Sequence, residues 1–373
     1  MPSMTRSRAS SAAMSPPSRM RRQLGYATDM RNHYVSFLSA NQATLAEEDI
    51  VPDSLKAGEA IVRGEHSIVS SGTEGATYTD LVSQMLNLQN LQRGWPRRTG
   101  YGHLGRVVAT GPGVTNVKEG DRILTFSNHG SHTRANVGRF ALHVSDGVTG
   151  QRAVATRMAG VSATALRSSS VQPGDRVAII GLGLVGNFAA QLFQLAGARV
   201  LGLDVAPRRL EIARACGIHE VANATDGDPV ARVREWSGDD QGVEIAIDAI
   251  GHAPIVAQAV DMTRRHGEVI LLGSPRAHHS TDVTPMLTRI HLLAIRMIGA
   301  LEWTYPIPAS TERSRFTIER NYKQILEWII AGRLIADPLI SHVMSPRDCQ
   351  VAYDGLTNKK DEYTAVIFDW SLL

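Results

Sequence analysis

Three glycines and one carboxylate carry the clearest chemistry in this chain. Gly181, Gly183 and Gly186 fit the spacing G-x-G-x-x-G, and Asp204 follows 18 residues after the last of them. In such a turn the first glycine makes the tight bend and the second lets the backbone approach a pyrophosphate. The third lets a helix pack closely against a strand. The helix that opens with Leu184 and Val185 offers free N–H groups and a positive dipole end to the phosphates. A carboxylate at the position of Asp204 hydrogen-bonds ribose hydroxyls and repels a 2′-phosphate, so the expected cofactor is NAD(H). Arg209, five residues further on, is expected either to cover the adenine face or simply to open an exposed helix.

The elements that position these residues are legible around them. Val177–Ile180 is a short β-rich run after the turn Pro173-Gly174-Asp175, and Val200–Leu203 alternates as a second strand. Between them Ala189, Ala190, Leu192, Phe193 and Leu195 recur at helical spacing, and Gly197 ends the helix. The pattern repeats downstream, with strands expected at His219–Ala222, Ile245–Ile250 and Val269–Leu272. Helices are expected near Arg208–Ala215, Pro229–Trp236, Ile255–Met262 and Pro285–Leu293. Residues 30–150 read differently, as short strands such as Arg106–Ala109, Arg122–Phe126 and Ala141–Val144 between glycine-rich turns, which suits a small twisted barrel. A helix is expected from Val154 to Ser168, another at 315–331, and an alternating strand at Tyr363–Phe368. The fold class is therefore α/β, with a β-barrel part and a doubly wound parallel-sheet part.

Length and composition set the outer limits. The chain has 373 residues, 43% hydrophobic and 20% charged, with a net charge of +3, too small to suggest a nucleic-acid partner. No apolar run approaches the roughly 20 residues that span a bilayer. Two cysteines, Cys216 and Cys349, exclude a disulfide scaffold and fit a reducing, cytoplasmic setting. Residues 1–25 hold five arginines, three prolines and no acid, and read as a disordered leader. A transit peptide is the other reading, against which stands the lack of an amphipathic stripe.

Four segments in order resemble the medium-chain dehydrogenase/reductase superfamily, the alcohol- and polyol-dehydrogenase-like proteins. They are Ser70-Ser71-Gly72-Thr73-Glu74; Gly105-Arg106-Val107-Val108 with Gly111, Gly113-Val114 and Gly120-Asp121-Arg122; the G-x-G-x-x-G turn; and Asp248-Ala249-Ile250-Gly251 with Leu272-Gly273. The resemblance implies a GroES-like β-barrel catalytic domain with a Rossmann NAD-binding domain inserted in it. The expected division is 26–155 for the first part of the catalytic domain, 156–303 for the Rossmann domain and 304–373 for the return. It also implies that Gly251, Leu272 and Gly273 lie along the nicotinamide half of the cofactor, and that the protein is a homodimer or homotetramer. The family's metal ligands are missing. Ser71 stands at the cysteine of the C-G-T/S-D turn, and G-H-E reads Gly100-Tyr101-Gly102 with His103 one step on. The third position falls near Ala159-Gly160, and the four-cysteine structural lobe is absent. No metal is therefore expected; the remaining metal reading is a shifted site using His103 with Glu74 or another histidine.

Without a metal ion, hydrogen-bond donors must hold the substrate oxygen and a side chain must exchange its proton. By the resemblance, Thr73 stands at the family's proton-relay hydroxyl, with a turn-capping threonine as the plainer account. Tyr101 and His103 occupy the vacated metal segment as candidate donors, and Glu74 and His129 are candidate cleft residues. Trp303 is either a pocket wall or simple packing at the domain junction. The function expected is zinc-independent, NAD(H)-dependent interconversion of an alcohol and a ketone or aldehyde. The substrate expected is a polar small molecule, polyol- or cyclitol-like or a specialised metabolite. The S-G-T-E turn also resembles a branch with bacteriochlorophyllide and sugar- or cyclitol-type dehydrogenases. The rivals are an NAD(P)H-dependent enoyl or quinone reductase and a non-catalytic nucleotide-binding protein.

Overall fold

The computed structural model describes residues 30–81, 94–308 and 316–373, so the Arg/Ser-rich leader lies outside the described residues. In chain order the elements are β1 (Met30–Ser39), β2 (Gln42–Ile50), β3 (Glu59–Ile68), α1 (Ser71–Tyr78), β4 (Arg97–Arg98), β5 (His103–Thr110), β6 (Arg122–Thr125), β7 (His132–Asn136) and β8 (Leu142–His143). The long helix α2 (Gly150–Ser168) leads into β9 (Arg176–Ile180), α3 (Leu184–Leu195), β10 (Arg199–Asp204), α4 (Pro207–Ala215), β11 (Glu220–Asn223), α5 (Pro229–Ser237), β12 (Val243–Asp248), α6 (Ala253–Met262), β13 (Thr263–Leu271), α7 (Thr284–Leu293) and β14 (Arg296–Gly299). The chain closes with α8 (Ile318–Ile330), β15 (Ile340–Met344), α9 (Cys349–Asn358) and β16 (Ala365–Asp369).

The central part is a six-stranded parallel sheet in the order β11-β10-β9-β12-β13-β14. The order reverses beside β9, so a crevice opens at the carboxyl ends of β9 and β12, where open α/β sheets bind ligands. The inner strands β9, β10 and β12 are buried on both faces, as parallel strands covered by helices must be. Val177 and Ile179 join one core with Phe193 and Ile247, while Ala178 and Ile180 join the other with Leu203 and Val269. That period of two is the alternation readable in the sequence.

The remaining strands wrap around this unit. One sheet runs β15-β16-β3-β5-β6-β8, with β7 also paired to β3, and a small sheet runs β2-β1-β4. β16 pairs antiparallel with β3, so the end of the chain rejoins a strand laid down some 300 residues earlier. Helix α2 begins at Gly150 rather than Val154 and runs unbroken past residues 155–156, where the expected boundary between the two parts would cut it. Its interior packs with α3 and α8 in one apolar cluster that includes Met158, Phe188, Tyr322 and Ile325. The two parts are thus joined by a shared core around one continuous helix.

Candidate functional site

The expected cofactor residues converge on the carboxyl edge of the parallel sheet. Gly181 has φ +96°, a left-handed conformation that only glycine adopts without strain. A Cβ on Gly186 would lie 1.8 Å from the Gly181 carbonyl oxygen, so this position is glycine because helix and turn are in contact. Gly183 is the opposite case: a Cβ there would meet nothing within 4 Å. It caps α3 without a side-chain hydrogen bond, leaving the first N–H groups of Leu184, Val185 and Gly186 open to that space. Asp204, at the end of β10, accepts from the Leu182 N–H at 2.8 Å and the Ala206 N–H at 2.9 Å. Each of its oxygens keeps a free lone pair. The Arg209 guanidinium lies 3.6 Å from it. Across the crevice, Cβ atoms on Gly251 and Gly273 would strike the opposing backbone at 2.5 and 2.2 Å, so the ends of β12 and β13 are zipped together there. Leu272 is buried beside them.

Opposite this edge stands the N-terminus of α1. Arg276, in the segment after β13, donates to the Gly72 carbonyl at 2.9 Å and so joins the sheet edge to the Ser70–Glu74 turn. Tyr101 is half-buried at this junction, its phenol hydrogen-bonded to Ser70 Oγ and to the side chain of Thr73. Thr73 is itself exposed. Burial raises the Tyr101 phenol above its ordinary value, while Arg157, Ser70 and Thr73 pull it back down. A protonated phenol with a two-hydroxyl path to solvent is what these residues make together.

Three of the expected catalytic residues are bonded into the interior, although His129 borders the same cavity as Tyr101 and Glu74 lies near its phenol. Glu74 points inward from α1, where its carboxylate accepts from the Ser70 N–H at 2.8 Å, Thr99 Oγ1 at 2.6 Å and the Tyr353 hydroxyl at 2.6 Å, with His129 Nε2 at 3.0 Å. Burial alone would raise its pKa, but His129 and these donors outweigh burial and hold it below the usual carboxylate range. His129 is fully buried, and its other nitrogen meets Ser67 Oγ at 2.8 Å, so both ring nitrogens are committed inside the protein. His103 is also fully buried, with Nε2 donating to the Gly130 carbonyl at 2.8 Å. Its position on β5, two residues from Tyr101, sends it into the barrel interior. Burial pushes its pKa down to about 4.

What sequence reasoning missed is Arg157. Its stem fills the space that a side chain at Gly102 would need: a Cβ there would lie 2.6 Å from Arg157 Cγ. Nε donates to the Tyr101 carbonyl at 2.8 Å, and the two terminal nitrogens grip Glu302 at 3.1 and 2.9 Å. The Tyr322 hydroxyl bonds both Arg157 and Glu302. The guanidinium sits 4.5 Å from the Tyr101 ring centre, 4.7 Å from Phe126 and 5.5 Å from Trp303. A signal for it existed, because helical spacing puts Arg157 on the same buried face as Val154 and Met158. The three rings, with Phe140 stacked on Phe126 at 4.0 Å, floor a cavity of about 740 Å³. Its outer rim is charged, with Glu48, Asp49, Arg98, Arg134 and Arg139.

Comparison with known proteins fits this architecture. A family model described as zinc-binding dehydrogenase matches residues 185–310. An uncharacterised zinc-type alcohol dehydrogenase-like protein of Escherichia coli K12, YdjJ, is 25% identical over 230 residues, 61% of this chain. Over these stretches the chain is similar to zinc-type, alcohol dehydrogenase-like members of the medium-chain dehydrogenase/reductase superfamily. The matched stretch spans 60% of YdjJ, less than two thirds of that relative's length. Among solved structures, an E. coli oxidoreductase/dehydrogenase of unknown specificity, ECK1772, superposes with a TM-score of 0.75 at 19% identity, over 91% of this chain and 99% of that one. Galactitol-1-phosphate dehydrogenase from E. coli superposes with a TM-score of 0.75 at 15% identity, over 90% and 99%. These structural likenesses carry the fold, a GroES-like unit with a Rossmann unit.

The superfamily's catalytic metal ion finds an ill-suited donor set here. The segments that would supply ligands instead bring the Tyr101 hydroxyl to Ser70 Oγ and set the Tyr101 ring and backbone carbonyl against a buried guanidinium. A divalent cation beside that fixed positive charge is repelled, and neutral hydroxyls are poor zinc ligands. Among the described residues no group of three His, Cys, Asp or Glu side chains is placed to hold a metal ion. Cys216 and Cys349 are buried elsewhere, and burial pushes their thiols up to about 12 and about 11.

Proposed function

We propose that this protein is an NAD(H)-dependent oxidoreductase that interconverts an alcohol and the corresponding ketone or aldehyde without a catalytic metal ion. The observation that carries the reading is the Tyr101 phenol, hydrogen-bonded to Ser70 and Thr73, at the cavity floor beside the turn that Arg276 ties to the cofactor edge. Gly181, Gly183 and the open N–H groups of Leu184, Val185 and Gly186 hold the pyrophosphate, and Asp204 holds the adenosine ribose. Gly251, Leu272 and Gly273 flank the nicotinamide half. The carboxylate at Asp204 favours NAD(H) over its 2′-phosphorylated form by charge repulsion. The nicotinamide, when bound, delivers or accepts the hydride.

In the reducing direction the carbonyl carbon takes the hydride and its π electron pair moves to oxygen. Tyr101 donates its proton to that oxygen, leaving a phenolate that is reprotonated from water through Thr73 and Ser70. Oxidation runs the same path backwards. The raised phenol is protonated at neutral pH, so the acid needed for reduction is in place there and is lost as pH rises through the folded-state value.

The aromatic floor of Phe126, Phe140 and Trp303 suits a substrate with a flat, apolar portion next to the reacting carbon. The charged rim suits polar substituents at its far end. The names of the relatives, alcohol dehydrogenase-like and galactitol-1-phosphate dehydrogenase, support the coarser alcohol-oxidoreductase class. A cytoplasmic setting is proposed on the two unpaired cysteines.

The test is a panel of alcohols, ketones and aldehydes assayed with NADH/NAD and NADPH/NADP, with metal analysis of the same sample. Turnover should favour NAD(H), survive chelation and proceed without stoichiometric zinc. Tyr101→Phe should lower kcat by roughly 10²- to 10⁴-fold, the usual contribution of a positioned acid, with NADH affinity unchanged. Clear NADPH preference, a zinc requirement or undiminished kcat in Tyr101→Phe would sink the reading.

A further inference from the structure

We infer that Arg157, clamped by Glu302 and Tyr322, is a positioning residue that supplies the fixed positive charge beside Tyr101 in place of the superfamily's metal ion. The inference rests on the reading of Tyr101 as proton donor and adds to it the group that sets where that phenol lies and how acidic it is.

Three observations meet at this point. The position vacated by the glutamate of G-H-E is Gly102, and the missing side chain's space is taken by the Arg157 stem. The position vacated by the histidine is Tyr101, whose backbone carbonyl accepts from Arg157 Nε and whose ring lies against the guanidinium. The third ligand position falls near Ala159-Gly160, and a Cβ on Gly160 would collide with the Tyr322 ring at 2.2 Å. Gly160 therefore lets Tyr322 lie flat on α2, so that its hydroxyl reaches Arg157 and Glu302. Gly102 and Gly160 thus make room for Arg157 and Tyr322, the two side chains that meet Glu302.

The cluster is built from distant parts of the chain: Arg157 from α2, Glu302 from the 3₁₀ turn Glu302–Thr304 beyond β14, and Tyr322 from α8. A planar guanidinium suits this role better than an ammonium, because its fork takes both Glu302 oxygens while its face stacks on aromatic rings. Arg157 is 1% exposed and lies behind the cavity floor, so it acts on substrate only through Tyr101 and its neighbouring rings. The charged and titratable groups facing Tyr101 are Arg157 from α2, Arg276 from the segment after β13 and Glu74 from α1. Glu302 and Tyr322 reach it through Arg157. Of the cations, Arg157 is the one held rigidly by a buried carboxylate.

The test follows Tyr101 directly, by NMR titration of protein labelled at tyrosine Cζ, with Tyr101→Phe identifying its signal. Two variants are predicted to move it in opposite directions. Arg157→Met/Glu302→Leu removes the pair without stranding a buried charge, and the Tyr101 ionisation should rise by about one pH unit or more. Glu302→Gln keeps the guanidinium but removes its neutralising partner, and the ionisation should fall. The basic limb of the kcat profile should shift the same way in each variant, and Arg157→Lys should lower kcat more than it raises KM. Unmoved Tyr101 signals in every soluble variant, with only thermal stability lowered, overturn the inference. A shifted Tyr101 signal in a protein that turns over no carbonyl or alcohol supports the charge coupling and overturns the proposed activity alone.

Discussion

Among single residues, the fate of His103 shows how burial overrides residue type. Tyr101 and His103 differ by two positions, yet Tyr101 faces the cleft from the loop before β5 while His103 is sealed in the barrel. Its Nε2 must be the protonated nitrogen, because a carbonyl only accepts, and Nδ1 has no partner among the described residues. Such a histidine stays neutral when folded and gains a proton when unfolded. Its folded value of about 4 lies below the ordinary 6.5, so its contribution to stability is complete above about pH 6.5 and is lost as pH falls toward 4. At 1.36 kcal/mol per unit, that amounts to roughly 3 kcal/mol over the window. His66 and His132 are shifted the same way by burial, so the comparison must be with a single variant. Urea unfolding of wild type and His103→Gln at pH 7, 5.5 and 4.5 should show a shallower pH slope in the variant; parallel slopes would refute the assignment.

At the scale of elements, the turn between β9 and α3 separates glycines that fold the protein from a glycine that serves a ligand. Gly186 touches backbone, whereas Gly183 faces open space with an ordinary negative φ. Gly186→Ala should therefore unfold the protein or lower its stability by several kcal/mol, as forced overpacking does. Gly183→Ala should keep thermal stability within about 1 kcal/mol while weakening NADH binding at least about tenfold, since its Cβ stands where the pyrophosphate must approach. Melting curves with and without NADH distinguish the two. Equal destabilisation by both substitutions would mean that Gly183 is structural as well.

For the molecule as a whole, one edge is left unfinished. Among the described residues β14 ends the six-stranded sheet with no strand on its outer side, and Met297 on it and Leu301 just beyond it are exposed. Helix α7 beside it contains no fully buried residue and exposes Leu287 and Leu292. A bare edge strand beside an apolar patch is a pairing surface. We expect a second copy of this chain to cover it, giving a dimer at micromolar concentration by light scattering. Leu287→Glu/Leu292→Glu should shift the mass to the monomer without loss of secondary structure. A monomeric wild type would dismiss this surface.

The local chemistry of the parallel sheet was readable because it is written in short-range patterns. Period-two strands, a helix with period 3.6, three glycines and a terminal aspartate specify β9–α3–β10 almost residue by residue. The barrel segments could be recognised by their turns, but their pairing could not, since β3 meets β16 across some 300 residues. The same limit governs the cleft. Glu74, His103 and His129 share the residue types of catalytic groups, and only the tertiary structure turns them inward, because strand parity and the facing of α1 decide which side of the backbone meets solvent. Arg157 lies within the helix expected from Val154 to Ser168, but nothing local marks it out. Its meaning comes from Gly102, Glu302 and Tyr322, which no local spacing connects and which burial alone brings around one charge.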